Sequence, residues 1–413
     1  MSAAALTQGT GRDARIIALV AAAHYSSHVM QLALPPLFPI LHSEFGVGFV
    51  ELGLVVAVFY TASGLGQALA GVLVDRYGAH RLLIGGLATL CVGIALTGLA
   101  ASYWILLPLA ALAGLGNSVF HPADLSILSH RVSERRLGRA YAVHGLAGQL
   151  GFATSPVVVT AVAAYMGWRI ALIAFGLAGL AVAAVLYANR DMLAYCRRGE
   201  AFAHASPTPR RTRYLGVIGS PVVVMAFGYF ALTAFAGTGV QTFAVTALTS
   251  GYELALGAAT LALTAYLVGS ACGTALGGFL AERTGMHHRV AMGGMAVVSA
   301  LMLLMTGVPA LALVILPVMA IAGVANGVTA PSRDVLIRRA AAGVGMGSVF
   351  GFVYSGFDLG SCTAPLLFGA LLDHRAPHAV FLAIAIAFAL AAPTVMQVRR
   401  RIAPPAPLPG AAE

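Results

Sequence analysis

Twelve stretches of the chain are each long and apolar enough to cross a lipid bilayer as one helix, which takes about 20 residues. Backbone groups inside a bilayer have no water to bind, and a helix satisfies them within its own segment. The sequence therefore predicts an all-α membrane protein. The predicted spans are residues 16–41, 50–74, 82–101, 104–128, 139–164, 168–188, 215–247, 254–280, 290–307, 309–332, 345–372 and 378–397. Pro35, Pro36 and Pro39 are expected to kink or end the outer part of the first span.

The composition agrees, since 59% of the residues are hydrophobic and only 9% are charged. A water-soluble domain needs many more charged residues on its surface. The net charge of +10 would suit nucleic acid, but the basic residues lie only in short gaps between the apolar stretches. We therefore expect a lipid bilayer as partner and no nucleic acid.

The basic residues also predict the orientation of the chain. All 24 are arginines, and with the N-terminus inside, all but Arg169 and Arg375 fall on the cytoplasmic side. Basic residues concentrate in cytoplasmic loops of membrane proteins. An even number of spans then places both termini in the cytoplasm. We expect a multi-pass protein of the bacterial inner membrane that acts as a monomer.

One polar segment divides the spans into two sets of six. Residues 189–214 are rich in arginine and proline, which is typical of a linker. The sequence thus predicts an N-terminal six-helix bundle at 1–188, a cytoplasmic linker at 189–214, and a C-terminal six-helix bundle with a short cytoplasmic tail at 215–413.

The two halves are related in sequence. Pro122 recurs as Pro331, and the glycine, threonine and proline of 151–156 recur at 360–365; 331 − 122 and 360 − 151 both give 209. Parallel repeats of six spans are typical of transporters whose two bundles rock about a shared central site.

A charged turn between the second and third spans is the most distinctive motif. Residues 71–81 read Gly-Val-Leu-Val-Asp-Arg-Tyr-Gly-Ala-His-Arg, and 278–289 repeat the pattern with Glu282 in place of Asp75. Gly78 can adopt a backbone conformation that a side chain would forbid. Asp75 could cap the next helix or pair with an arginine.

This pair of turns, together with twelve spans, resembles the signature of the major facilitator superfamily. The resemblance implies a fold of two pseudo-symmetric six-helix bundles. It also implies that the turn packs against the other half and acts as a conformational latch for one access state. The alternative is that its arginines only hold the loop in the cytoplasm. The latch residues would be Asp75, Arg76, Gly78, Arg81, Glu282 and Arg283.

A finer resemblance lies in the first half. Residues 24–46, with the run Leu34-Pro35-Pro36, and residues 118–122 are similar to the fosmidomycin-resistance group of drug exporters. This implies export of small organic compounds.

Asp358 lies near the middle of the eleventh span. A charged aspartate at the bilayer centre costs about 3 kcal/mol on insertion scales, so it should face a cavity or carry a proton. It is predicted either to couple transport to protons or to hold helices together through a hydrogen bond.

His24 and His28 share one face of the first span at i and i+4, and Gln31 extends that face. We expect the two histidines to carry protons or contact the substrate, or else simply to line a polar cavity wall. Gln149 and Tyr354 are further predicted cavity residues. Two histidines are too few for a metal site, so no metal is predicted.

His121 and Asp124 lie at i and i+3 in the fourth span, and His144 in the fifth lies at a similar depth. These three are predicted to cluster, either as a proton relay or inner gate or as a plain hydrogen bond between helices. The second half has Ala330 and Arg333 at the matching positions of the fourth span, so the cluster is not repeated.

Small residues on the fifth and eighth spans are spaced so that helices could approach closely. They are Gly145, Gly148, Gly151, Gly269, Gly273 and Gly277. The resemblance to the superfamily implies that these two helices face each other between the halves, and the alternative is ordinary packing of membrane helices.

The sequence as a whole predicts a proton-coupled secondary transporter that exports small organic compounds or drugs by alternating access. An uptake symporter for an organic acid or another small metabolite is the alternative, and a non-transporting membrane sensor is a remote one. The chain has no GxxxxGK[ST] loop for a nucleotide. No enzyme activity, catalytic residue or cofactor is predicted, and the expected partners are a small organic substrate and protons.

Overall fold

The computed structural model describes residues 3–195, 221–307, 312–340 and 346–401. Within these residues the structure is helical and contains no strand. The first half contains α1 Ala3–Gln31, α2 Phe38–Phe45, α3 Phe49–Tyr77, α4 Ala79–Thr97, α5 Tyr103–Asn117, α6 Phe120–Arg131, α7 Glu134–Met166, α8 Trp168–Ala188 and α9 Arg190–Leu193. The second half contains α10 Pro221–Gly251, α11 Leu256–Arg283, α12 His287–Met305, α13 Ala312–Ala340, α14 Met346–Asp373 and α15 Pro377–Arg401.

Twelve helical segments in this part of the chain are long and apolar enough to cross a membrane. The predicted set of spans and the all-α class are therefore confirmed. The predicted linker falls mostly outside the described residues, apart from the short helix α9, so its boundaries stay predictions.

The proline-rich end of the first span is broken as predicted. Helix α1 ends at Gln31, a single 3-10 turn covers Pro35–Leu37, and α2 runs from there to Phe45. Gly46 then ends α2 in a left-handed conformation at φ +62°. A proline ring cannot continue the helical hydrogen bonds, so the chain changes direction here.

The same helix pairings occur in both halves. In the first half, α1 packs on α7, and the matching pair in the second half is α10 on α14. Likewise, α3 packs on α5 in the first half, and α11 packs on α13 in the second. The halves meet where α3 packs on α14 and where α7 packs on α11. This is the predicted arrangement of two pseudo-symmetric six-helix bundles.

Helices α7 and α11 face each other between the halves, as the resemblance implies. The prediction that the glycines of α11 form that contact is wrong. A Cβ added at Gly273 would lie 2.2 Å from the backbone oxygen of Val324, and one at Gly269 would lie 2.3 Å from that of Ala320. Both contacts are with α13, so these glycines close the packing inside the second half.

Candidate functional site

Three helices of the first half bring five titratable side chains together. We call this set the histidine cluster: His24 and His28 from α1, His121 and Asp124 from α6, and His144 from α7. The sequence predicted the first pair and the other three as separate groups, whereas the structure joins them. No residue of the second half is needed to form it.

Asp124 is the centre of the cluster and is fully buried. His144 Nε2 forms a hydrogen bond with Asp124 Oδ2 at 3.1 Å. His24 Nδ1 lies at the same 3.1 Å from that oxygen but outside hydrogen-bond geometry. Both imidazoles are buried too, with side-chain exposures of 4% for His24 and 9% for His144.

The imidazole rings are in direct contact. The centroid of the His24 ring lies 3.6 Å from that of His144, 4.5 Å from His28 and 5.6 Å from His121. Three buried polar atoms of the cluster have no hydrogen-bond partner among the described residues: Nδ1 of His24, Nδ1 of His28 and Oδ1 of Asp124. A buried polar atom without a partner costs about 1–3 kcal/mol, so these atoms would be stabilised by a ligand.

Glycines on α7 make the room that the rings occupy. A Cβ at Gly148 would lie 3.0 Å from ring atoms of both His24 and His28. A Cβ at Gly151 would lie 2.5 Å from the backbone oxygen of Tyr25. Gly148 and Gly151 thus serve the packing of α1 on α7.

Gln31 continues the polar face of α1 but belongs to a different contact. Its Nε2 donates to Asn117 Oδ1 at 3.0 Å, and Asn117 Nδ2 donates to Ser63 Oγ at 2.9 Å. Gln31 also lines a mostly apolar cavity whose residues, such as Phe59 and Leu106, all belong to the first half. The structure therefore places Gln31 inside one bundle. Asn117 is a polar contact that sequence reasoning did not assign.

Asp358 lies on α14 at the boundary between the halves. It is half-buried, and a Cβ at Gly64 of α3 would lie 3.2 Å from its carboxyl carbon. One turn further along, Thr61 Oγ1 donates to Cys362 Sγ at 3.4 Å. Asp358 is thus separate from the histidine cluster and faces the opposite bundle.

The described contacts between α3 and α14 lie toward the Gly46 end of α3. From the turn at Gly46, α3 touches α14 at Gly53, Thr61 and Gly64. Gly71 lies on the same face two turns beyond Gly64, and no described atom lies within 4 Å of a Cβ built there. The two helices are therefore closed at the Gly46 end.

The other two residues predicted to line the substrate cavity are Gln149 and Tyr354. Gln149 is half-buried on α7, next to Gly148. Tyr354 lies on α14, and its side chain falls outside the described ones.

The first charged turn has the predicted glycine conformation. Gly78 separates α3 from α4 at φ +91° and occupies the N-cap position of α4, so Asp75 is not the N-cap residue. Asp75, Arg76 and Arg81 are exposed and line an open pocket.

The second charged turn differs from the first. Glu282 and Arg283 are exposed at the end of α11, which is capped by Thr284 at φ −120°. Gly285 is not among the positive-φ glycines of the described residues. The contact of either turn with the opposite half stays a prediction.

Arg333 is a second residue whose role sequence reasoning missed. Its guanidinium carbon lies 4.9 Å from the ring centroid of Phe230, within the second half. The internal sequence repeat could have indicated Arg333, because this residue occupies the position in the second half that matches Asp124 in the first.

The structure has two similar six-helix bundles, buried ionisable groups in the first bundle and a carboxylate at the boundary between the two. This arrangement is typical of membrane transporters. The chain belongs to the Major Facilitator Superfamily, whose family model matches residues 17–260 and 227–413. The predicted family is confirmed.

Curated relatives agree with this assignment. The chain is 27% identical to the fosmidomycin resistance protein of Escherichia coli (strain K12), over 69% of this chain and 70% of that protein. It is 25% identical to the probable L-galactonate transporter of the same organism, over 41% of this chain and 38% of that protein. A solved bacterial homolog of the human lysosomal transporter Spinster, inward-facing and unoccupied, has the same fold with a TM-score of 0.77 at 14% identity. That match covers 96% of this chain and 99% of the other.

Proposed function

We propose that the protein is a proton-coupled exporter of small organic compounds in the bacterial inner membrane, with both termini in the cytoplasm. The observation that carries the proposal is Asp358, a half-buried carboxylate on a membrane helix that contacts Gly64 of the opposite bundle. The similarity to a fosmidomycin resistance protein supports export as the direction.

The position of Asp358 explains how protonation would drive the cycle. The carboxylate lies in the α3–α14 contact between the two halves, so its surroundings must change when the halves rock. A charged carboxylate in a membrane interior costs about 3 kcal/mol. Binding a proton removes that cost in the state where Asp358 is most enclosed, and so shifts the population toward that state.

The contact between the halves is closed at the Gly46 end. With the predicted orientation, that end faces outside, so the proposed state is inward-facing and substrate enters from the cytoplasm. The resemblance to the superfamily implies that Asp75 latches the outward-facing state. Asp75→Asn should then slow turnover without changing substrate affinity, and an unchanged turnover would remove the latch role.

The test of proton coupling uses the purified carrier in liposomes that contain a pH-sensitive dye. A panel of organic compounds is first screened by thermal shift, and those that bind are added under an imposed pH gradient. Wild type should move protons together with the compound. Asp358→Asn should still bind the compound but lose gradient-driven transport, while Glu253→Gln, which removes an exposed carboxylate outside the spans, should behave as wild type.

Transport by Asp358→Asn at the wild-type rate would rule out Asp358 as the coupling site. If the rate at which wild type moves the compound does not depend on the pH gradient, proton coupling is ruled out. Movement of the compound toward the side that corresponds to the cytoplasm would contradict export.

One observation favours the second candidate, uptake of an organic acid. Arg333 places a guanidinium beside Phe230 in the second half, and guanidinium groups bind carboxylates well. The chain is also similar to a probable sulfoacetate transporter of Cupriavidus necator, 28% identical over 40% of this chain and 38% of that protein. Loss of acid binding in Arg333→Gln, with inward accumulation by wild type, would select this candidate.

A further inference from the structure

The histidine cluster contains a buried negative charge that hydrogen bonds do not fully satisfy. Asp124 receives one well-aligned hydrogen bond, from His144, and its Oδ1 receives none. One protonated imidazole would balance the charge but would still leave Oδ1 of Asp124 without a hydrogen bond. Protonating both His24 and His144 would place two positive charges on rings 3.6 Å apart, where they would repel. Buried charges are normally paired or bind metal ions.

We propose that His24, Asp124 and His144 bind one divalent transition metal ion of the zinc and cobalt type. One donor atom from each residue lies within 4.8 Å of the other two. Both imidazole nitrogens lie 3.1 Å from Asp124 Oδ2. Adjacent ligands of a tetrahedral ion with bonds of about 2.0–2.1 Å are about 3.3 Å apart, which is close to both of these distances.

The chemistry of the donors selects the class of ion. Two imidazoles with one carboxylate suit zinc, cobalt or nickel, whereas calcium and magnesium prefer oxygen ligands alone. His28 is the candidate fourth ligand. It lies one helical turn from His24, their ring centroids are 4.5 Å apart, and its Nδ1 has no hydrogen-bond partner among the described residues. Two histidines at i and i+4 are a common metal-binding pair on a helix.

The expectation of no metal rested on His24 and His28 alone. The structure supplies the missing ligands from α6 and α7, both in the same half. The site therefore does not depend on how the two halves are arranged. It goes beyond the proposed function, because Asp358 takes no part and ion binding can be measured without any transport.

The test uses full-length protein purified in detergent without a histidine tag and titrated with Co²⁺, whose visible absorption reports tetrahedral coordination. Wild type should bind one Co²⁺ per chain, and Zn²⁺ should displace it. Asp124→Asn and His144→Gln should each weaken binding at least tenfold. His130→Gln, which removes an exposed histidine outside the cluster, should bind as wild type does.

A variant that gains a spectroscopic signal distinguishes the loss of a metal ligand from the loss of the folded structure. His24→Cys keeps three ligands and should add a sulfur-to-cobalt charge-transfer band that wild type lacks. All variants are compared by gel filtration before titration. Two results would overturn the proposal: folded wild type without stoichiometric Co²⁺ binding, or Asp124→Asn and His144→Gln with wild-type affinity together with no new band in His24→Cys.

Discussion

The carboxylate of Asp373, the last residue of α14, caps the helix that begins at Phe49 in the other half of the protein. Phe49 N donates to Asp373 Oδ1 at 2.7 Å, and Val50 N donates to Asp373 Oδ2 at 2.9 Å. Gly48 is the N-cap residue of α3 and has no side chain to do this. The first amide groups of a helix need such a partner, and a negative charge there also favours the helix dipole. This contact therefore joins the halves at the Gly46 end.

Replacing Asp373 with asparagine should weaken closure at that end. The site is exposed, so we expect a loss of about 1 kcal/mol, which is roughly a fivefold change in the population of the closed form. The measurement is the alkylation rate of Cys362 in a Cys196→Ser, Cys272→Ser background, because Cys362 lies in the same α3–α14 contact.

The matched control for Asp373→Asn is Glu44→Gln. Glu44 pairs with Arg169 at 3.0 Å near the same end, but both residues belong to the first half. Alkylation should rise for Asp373→Asn and stay unchanged for Glu44→Gln. Equal rates in the two variants would show that the cap does not hold the halves together.

Gly53→Ala should separate α3 from α14 more strongly. A Cβ at Gly53 would lie 2.3 Å from the backbone oxygen of Pro365, and a backbone atom cannot rotate away. Gly71→Ala is the control on the same helix, because open space surrounds a Cβ there. The Cys362 alkylation rate should increase in Gly53→Ala alone. If both variants react like wild type, α3 and α14 are not in close contact in the membrane.

Gly78→Ala and Gly285→Ala should have different effects, although the two glycines occupy matching positions in the repeated charged turn. Gly78 has φ +91°, where an alanine is strained by about 1–3 kcal/mol. Gly285 has open space around it and is not among the positive-φ glycines described. Only Gly78→Ala should lower the apparent unfolding temperature, measured by intrinsic fluorescence. A similar decrease in Gly285→Ala would mean that the two turns share one conformation.

The spans and their order could be predicted from the sequence because each is a local property of about 20 residues. The break at Pro35 and the backbone of Gly78 were equally local, since proline and glycine act on their own segment. The sequence did not predict correctly which helix packs against the glycines of α11. The small residues around Gly273 indicated a close contact, but nothing in their spacing distinguished α13 from α7.

The histidine cluster shows the same limit. Helical spacing placed His24 beside His28 and His121 beside Asp124, because i, i+3 and i+4 neighbours share a helix face. Joining the two pairs requires the packing of α1 on α7 and α6, which depends on distant contacts. The helix cap formed by Asp373 could not be predicted from the sequence either, because Phe49 lies 324 residues away.

The close packing of α1 on α7 should be sensitive to one methyl group. A Cβ at Gly151 would lie 2.5 Å from the backbone oxygen of Tyr25 and 2.9 Å from Cβ of His28, so an alanine would push α1 away from α7. Overpacking of this kind costs about 1–3 kcal/mol. Gly145→Ala, nearly two turns earlier on α7, meets nothing within 4 Å and should gain slightly from the higher helix propensity of alanine. The apparent unfolding temperature of the purified protein should therefore fall for Gly151→Ala and hold or rise for Gly145→Ala, since the two substitutions differ only in what the new methyl group touches. Equal temperatures for the pair would mean that α1 and α7 are not packed at this distance, and the arrangement of His24 and His28 beside His144 would lose its support.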